Sequence, residues 1–110
     1  KEYRILIMGE KIMVLEQKFK RNYKNLKVEY LDLTSPSVFL NLDCTTQKAN
    51  KISLRSASIL GLDIAGVDLA IEKGTAKNYI IEVNKGPGIE PNSRTSPELK
   101  AFSDYLKSII

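Results

Sequence analysis

Three side chains with oxygen donors, Asp68, Glu82 and Asn84, stand inside two runs, "GVDLAI" and "YIIEVN", that otherwise read as buried strand. Successive side chains of a strand alternate faces. Ala65, Val67, Leu69 and Ile71 then share one face, and Ile64, Gly66, Asp68 and Ala70 the other. In the second run Tyr79, Ile81 and Val83 share a face, opposite Ile80, Glu82 and Asn84. If the intervening "KGTAK" turns about Thr75, position 72 faces 78, 70 faces 80, and Asp68 faces Glu82. Carboxylates opposed in this way have Cβ atoms about 4.5–5.5 Å apart and repel each other, so positive charge is expected between them. Two carboxylates and a carboxamide on one face are hard oxygen donors, suited to Mg²⁺ rather than zinc. The same spacing also fits a plainer arrangement, in which Asp68 and Glu82 lie on a solvated face beside Lys73 or Lys77, because a slip of one residue exchanges the faces of a strand. The following "NKGPG" suits a tight, partly rigid bend that holds backbone near a ligand, and equally a simple strand end.

The elements that must position these residues are legible in outline. "YRILIMGEKIMVLE", residues 3–16, reads as two strands around a turn at Gly9, Glu10 and Lys11. "VEYLDL", residues 28–33, is a short strand, and "TSPSVFLNLDCT" an irregular connection broken at Pro36. A helix is expected from about Thr46 to Leu60, capped by Thr45 or Thr46, with Ala49, Ile52, Ala57 and Leu60 on or near one face and Gly61 as its stop. Strands over about 63–72 and 78–84 follow. In "SPELKAFSDYLKSII", Ser96 caps, Pro97 occupies the first turn, and Leu99, Phe102, Leu106 and Ile109 recur at helical spacing. This order predicts an α+β fold of mixed α/β layers, a largely antiparallel sheet covered by two main helices, in a single domain over residues 1–110.

Composition narrows the chemistry further. The 110 residues contain one cysteine, Cys44, and no histidine, so an internal disulfide is excluded and the commonest general base and zinc ligand are missing. No transmembrane run or signal peptide is visible, and a cytoplasmic location is expected. The net charge of +4 is concentrated in "KFKRNYKNLK", Lys18 to Lys27, where five of ten residues are Lys or Arg. Such a segment fits a phosphate or nucleic-acid contact, with Phe19 and Tyr23 as stacking faces, and fits a solvated loop as well.

"LGLDIAGVDLAI" followed by "YIIEVNKGPGIE" resembles the C-terminal part of the ATP-grasp ligases, nearest to the RimK-like amino-acid ligases, with kinship to cyanophycin synthetases and D-alanine:D-alanine ligases. The resemblance implies that Asp68, Glu82 and Asn84 bind the Mg²⁺ (or Mn²⁺) ions holding the phosphates of ATP. "EYRILIMGEKIM" is similar to the family's acidic-x-Arg strand and hairpin, which implies a catalytic role for Arg4 at the transferring phosphate, beside Glu82. The implied activity is carboxylate-amine ligation through an acyl phosphate. ATP and an amino acid or peptide would be the substrates, nucleic acid and membrane are not expected as partners, and a homo-oligomer would form through the full-length protein. The nucleotide pocket would need an N-terminal lobe that these residues do not supply. Two rivals stand beside this reading: a small basic binding module for nucleic acid or an acidic protein, and an ATP-grasp-like scaffold without catalysis.

Overall fold

The computed structural model describes residues 1–18, 37–87 and 97–110. It contains strands β1 (Glu2–Met8), β2 (Lys11–Lys18) and β3 (Ser37–Leu40), helix α1 (Gln47–Ile59), strands β4 (Ile64–Ile71) and β5 (Asn78–Asn84), and helix α2 (Pro97–Ile109). The five strands form one sheet in the order β3-β2-β1-β4-β5, every neighbour antiparallel. The expected α+β layering is present. Central β1 is the most deeply buried strand, and its alternate residues feed two cores. Tyr3, Ile5 and Ile7 pack with Leu15, Ala65, Val67 and Leu69 beneath Ala49 and Ala57 of α1. Leu6 and Met8 pack with Val14 on the opposite side, beneath Ala101 of α2.

The first hairpin turns through Gly9 and Glu10, with φ of 58° and 65°. This two-residue geometry matches the right-handed twist of the strands. Gly9 also lies under α2, since a Cβ at that position would stand 2.7 Å from Tyr105 Cε1.

Helix α1 begins where its cap signal placed it. Thr46 Oγ1 accepts from the Ala49 N–H at 3.1 Å. At the other end Gly61 has φ of 68°, and the N–H groups of Gly61 and Leu62 bond back to Ser58 and Ala57, the pairing that closes a helix with a left-handed residue. The expected apolar face requires correction. The buried stripe is Ala49, Ser53 and Ala57, whereas Ile52 and Leu60 are exposed. Small side chains four residues apart let the helix approach the sheet closely, and Ser53 donates its hydroxyl to Ala49 O at 2.7 Å. In α2 likewise, Glu98 and Ala101 are buried and Phe102 and Tyr105 pack on the core, while Leu106 and Ile109 are exposed.

One further expectation changes. The 34–45 connection contains β3, because Val38, Phe39 and Leu40 pair with Gln17, Glu16 and Leu15 along the edge of β2. The strand expected at 28–33, the cap at Ser96 and residues 19–27 of the basic segment lie outside the described residues.

Candidate functional site

Antiparallel register carries the opposed pair. Asp68 of β4 faces Glu82 of β5, as expected, and Gly66 faces Asn84. Between Asp68 and Leu69 the register shifts, so that Leu69 faces Ile80, Ala70 faces Tyr79 and Ile71 faces Asn78, instead of 70 facing 80 and 72 facing 78. Ile81 is the extra residue of this bulge and is 57% exposed. The bulge reverses the alternation of β5 before Glu82. Ile80 therefore joins Val83 against the α1 core rather than sharing the face of Glu82.

One row of side chains now crosses the whole sheet on the α2 side: Phe39, Glu16, Arg4, Asp68 and Glu82, one from each strand. The α2 helix covers the apolar half of this face, around Leu6, Met8 and Val14, and the charged row forms the other half. The positive charge expected beside Asp68 is Arg4. Its Nε donates to Asp68 Oδ1 at 2.9 Å and its Nη2 to Oδ2 at 3.2 Å, a two-pronged contact between side chains only 21% and 17% exposed. Lys18 Nζ approaches Oδ1 at 3.7 Å. The hydrogen bonds that Arg4 donates to Asp68, then the charges of Asp68, Glu16 and Glu98, hold the guanidinium above its ordinary pKa, outweighing the opposing effect of its burial.

Glu82 is exposed and makes no ion pair among the described residues. Asn84 accepts the Gly86 N–H on Oδ1 at 2.9 Å, the local bond by which Asn shapes a turn. That turn folds back over the sheet, where a Cβ on Gly66 would stand 2.9 Å from Cβ of Pro87. Gly66 and Pro87 are thus one packing unit that fixes where Asn84 leaves β5. Gly66→Ala should force the rigid proline ring to move, lowering stability by about 1–3 kcal/mol, as overpacking does. Urea denaturation of the chain measures this, and an unchanged midpoint would contradict the packing.

Among the described residues, no group of three or more His, Cys, Asp or Glu comes together as a ready cation cage. The donor set is two opposed carboxylates and one carboxamide, hard oxygens that fit Mg²⁺ or Mn²⁺ provided that water and a polyanion complete the shell. Glu16 and Glu98 carry no expected role in the sequence, and Lys18 stands out there only as the first residue of the basic segment, not as a neighbour of Asp68. Lys18 was legible in principle, since it stands two residues from Glu16 and so on the same face as Arg4 across the hairpin. Glu98, only 8% exposed, carries no such signal, because its nearness to Arg4 is tertiary.

The fold is shared with solved ATP-grasp ligases. One is PsnB complexed with a phosphomimetic variant of its minimal precursor, Mg and ADP (TM-score 0.66, 9% identity, 98% of this chain and 32% of that one). Another is the D-alanine--D-alanine ligase from Bacillus anthracis (TM-score 0.60, 20% identity, 96% of this chain and 37% of that one). The profile of the RimK-like ATP-grasp domain matches residues 4–101, and the chain belongs to that family. A curated relative, the ribosomal protein bS6--L-glutamate ligase of Escherichia fergusonii, is 37% identical over 57 residues, 51% of this chain and 18% of the relative. The chain thus spans less than two fifths of each of these proteins.

Proposed function

We propose that this chain supplies the metal-holding part of an ATP- and Mg²⁺-dependent carboxylate-amine ligase, and that a preceding lobe of the same polypeptide completes the nucleotide pocket. The observation that carries the reading is the row Arg4, Asp68, Glu82 with Asn84 one rung away, a cation beside three oxygen donors on one open face in a RimK-like domain. Asp68, Glu82 and Asn84 would hold Mg²⁺ or Mn²⁺. The ion, when bound, offsets the negative charge of the phosphates that would otherwise repel an incoming carboxylate. A carboxylate oxygen of an amino acid or peptide attacks the γ-phosphorus and ADP leaves; an amine nitrogen then attacks the acyl carbon and inorganic phosphate departs. Arg4 offers a forked, permanently charged donor to the equatorial oxygens as their charge develops. Little proton transfer is asked of the protein, in keeping with a chain that has no histidine. We assign the reaction to the cytoplasm, where ATP is supplied; no helix among the described residues is long and apolar enough to cross a membrane.

Hydroxylamine trapping tests the reading. The full-length protein, given ATP, Mg²⁺ and the common amino acids with hydroxylamine, is expected to form an acyl hydroxamate that depends on ATP and on one class of carboxylate. ADP release with no hydroxamate from any of them would exclude the acyl phosphate.

A second expectation concerns residues 1–110 alone. They should fold, because both cores lie within them. They should bind Mg²⁺-ATP poorly, since adenine and ribose would find no enclosing walls. Calorimetric titration with Mg²⁺-ATP decides this: a dissociation constant near 1 μM, about −8 kcal/mol, would mean that the nucleotide site is complete without another lobe.

A further inference from the structure

The three oxygen donors are not equally available. Glu82 is exposed and makes no ion pair among the described residues, and Asn84 stands beside it on the open face. Asp68, by contrast, has both carboxylate oxygens engaged by the Arg4 fork at 2.9 and 3.2 Å, with Lys18 Nζ 3.7 Å from Oδ1. An arriving cation meets a carboxylate already neutralised by protein cations, and a guanidinium that repels it.

We propose that the Arg4–Asp68 pair is an internal latch, in which Arg4 occupies the position of the cation until the metal and its polyanion arrive together. This inference rests on the metal reading given above and adds its regulation. At rest the fork compensates Asp68, which would otherwise face Glu82 across the β4–β5 ladder as an uncompensated like charge. On loading, the divalent ion takes Asp68, and the released guanidinium turns to the phosphate oxygens of the same ligand. Neither half of this exchange is favourable alone. The metal by itself leaves Arg4 without its counterion in a part-buried position, and the anion by itself leaves the two carboxylates opposed. The latch therefore couples metal and anion, so that the site stays closed to free Mg²⁺ and answers to the metal-phosphate complex.

The consequence has an unusual sign: removing the cationic fork should strengthen binding of the bare metal. Mn²⁺ titration of the full-length protein without nucleotide, followed by the electron paramagnetic resonance of free Mn²⁺, is expected to give about tenfold higher affinity for Arg4→Gln than for wild type, the equivalent of about 1.4 kcal/mol. Arg4→Lys, which keeps the charge and loses the fork, should fall between them. Glu82→Gln should weaken Mn²⁺ binding. If Arg4→Gln binds Mn²⁺ no better than wild type while Glu82→Gln still weakens it, the latch is wrong and the metal assignment stands. If neither substitution changes Mn²⁺ affinity, the metal assignment fails, and the latch with it. A measurement on the unmodified protein covers the case in which Arg4→Gln does not fold. The Arg4 Nε–H resonance, assigned by its loss in Arg4→Lys, should move on adding Mg²⁺-ADP, as its acceptor changes from the Asp68 carboxylate to phosphate oxygen. A resonance unmoved at saturating Mg²⁺-ADP would overturn the exchange.

Discussion

Glu82→Gln in the full-length protein is expected to lower ligase turnover by roughly 100-fold or more while leaving thermal stability unchanged. The substitution preserves volume and removes one negative charge from the donor set. A metal positioned at phosphate oxygens contributes several kcal/mol of charge stabilisation, and each ~1.36 kcal/mol is a tenfold change in rate. Stability should not fall, because Glu82 is exposed, makes no ion pair among the described residues, and faces the like-charged Asp68. Steady-state turnover and a melting curve of the same sample check both halves. Retention of more than about a tenth of the wild-type rate, against the factor a bound metal is worth, would show that Glu82 is not a ligand that matters.

Arg4→Lys is expected to give the second large effect, a loss of turnover of about 10- to 100-fold with ATP affinity changed only a few-fold. Arg4 makes two parallel hydrogen bonds to Asp68, and a lysine ammonium cannot reproduce that fork toward a carboxylate or a phosphoryl group. Lysine keeps the positive charge that meets the phosphates on loading, so ATP affinity is largely retained, whereas the charge that develops during transfer loses its forked donor and the effect appears in kcat. Comparing kcat with the ATP dissociation constant separates the two. A variant whose ATP affinity collapses while its turnover holds would make Arg4 a nucleotide-binding residue and no more.

The placement of Asp68 opposite Glu82 was legible in this chain, and the faces of its helices were not. Counting from a turn at Thr75 opposed Asp68 and Glu82, and on the Val67 and Gly66 side of that pair the ladder runs as counted. The count failed a residue later at the Ile81 bulge, where one extra residue leaves no mark in a run of apolar side chains. The ends of α1 were readable from Thr46 and Gly61, since capping is local chemistry. Its buried face was not. Searching for large apolar residues favours Ile52 and Leu60, whereas close packing on a sheet favours Ala49, Ser53 and Ala57. In α2 the same bias selected Leu106 and Ile109 over the buried Glu98 and Ala101. The partner of Asp68 lay between these extremes. A positive charge was expected from electrostatics alone, but its identity required the β1–β4 ladder, which joins residues 64 positions apart.

Electron-nuclear double resonance of Mn²⁺ bound with ADP to the full-length protein, labelled with ¹³C in its glutamate carboxylates, tests the central claim most directly. A strong ¹³C coupling from a directly bound carboxylate is expected in the wild-type protein and should be lost in Glu82→Gln. A saturated Mn²⁺-ADP complex without that coupling, or one that keeps it unchanged after the substitution, would contradict the assignment of Glu82 as a metal ligand.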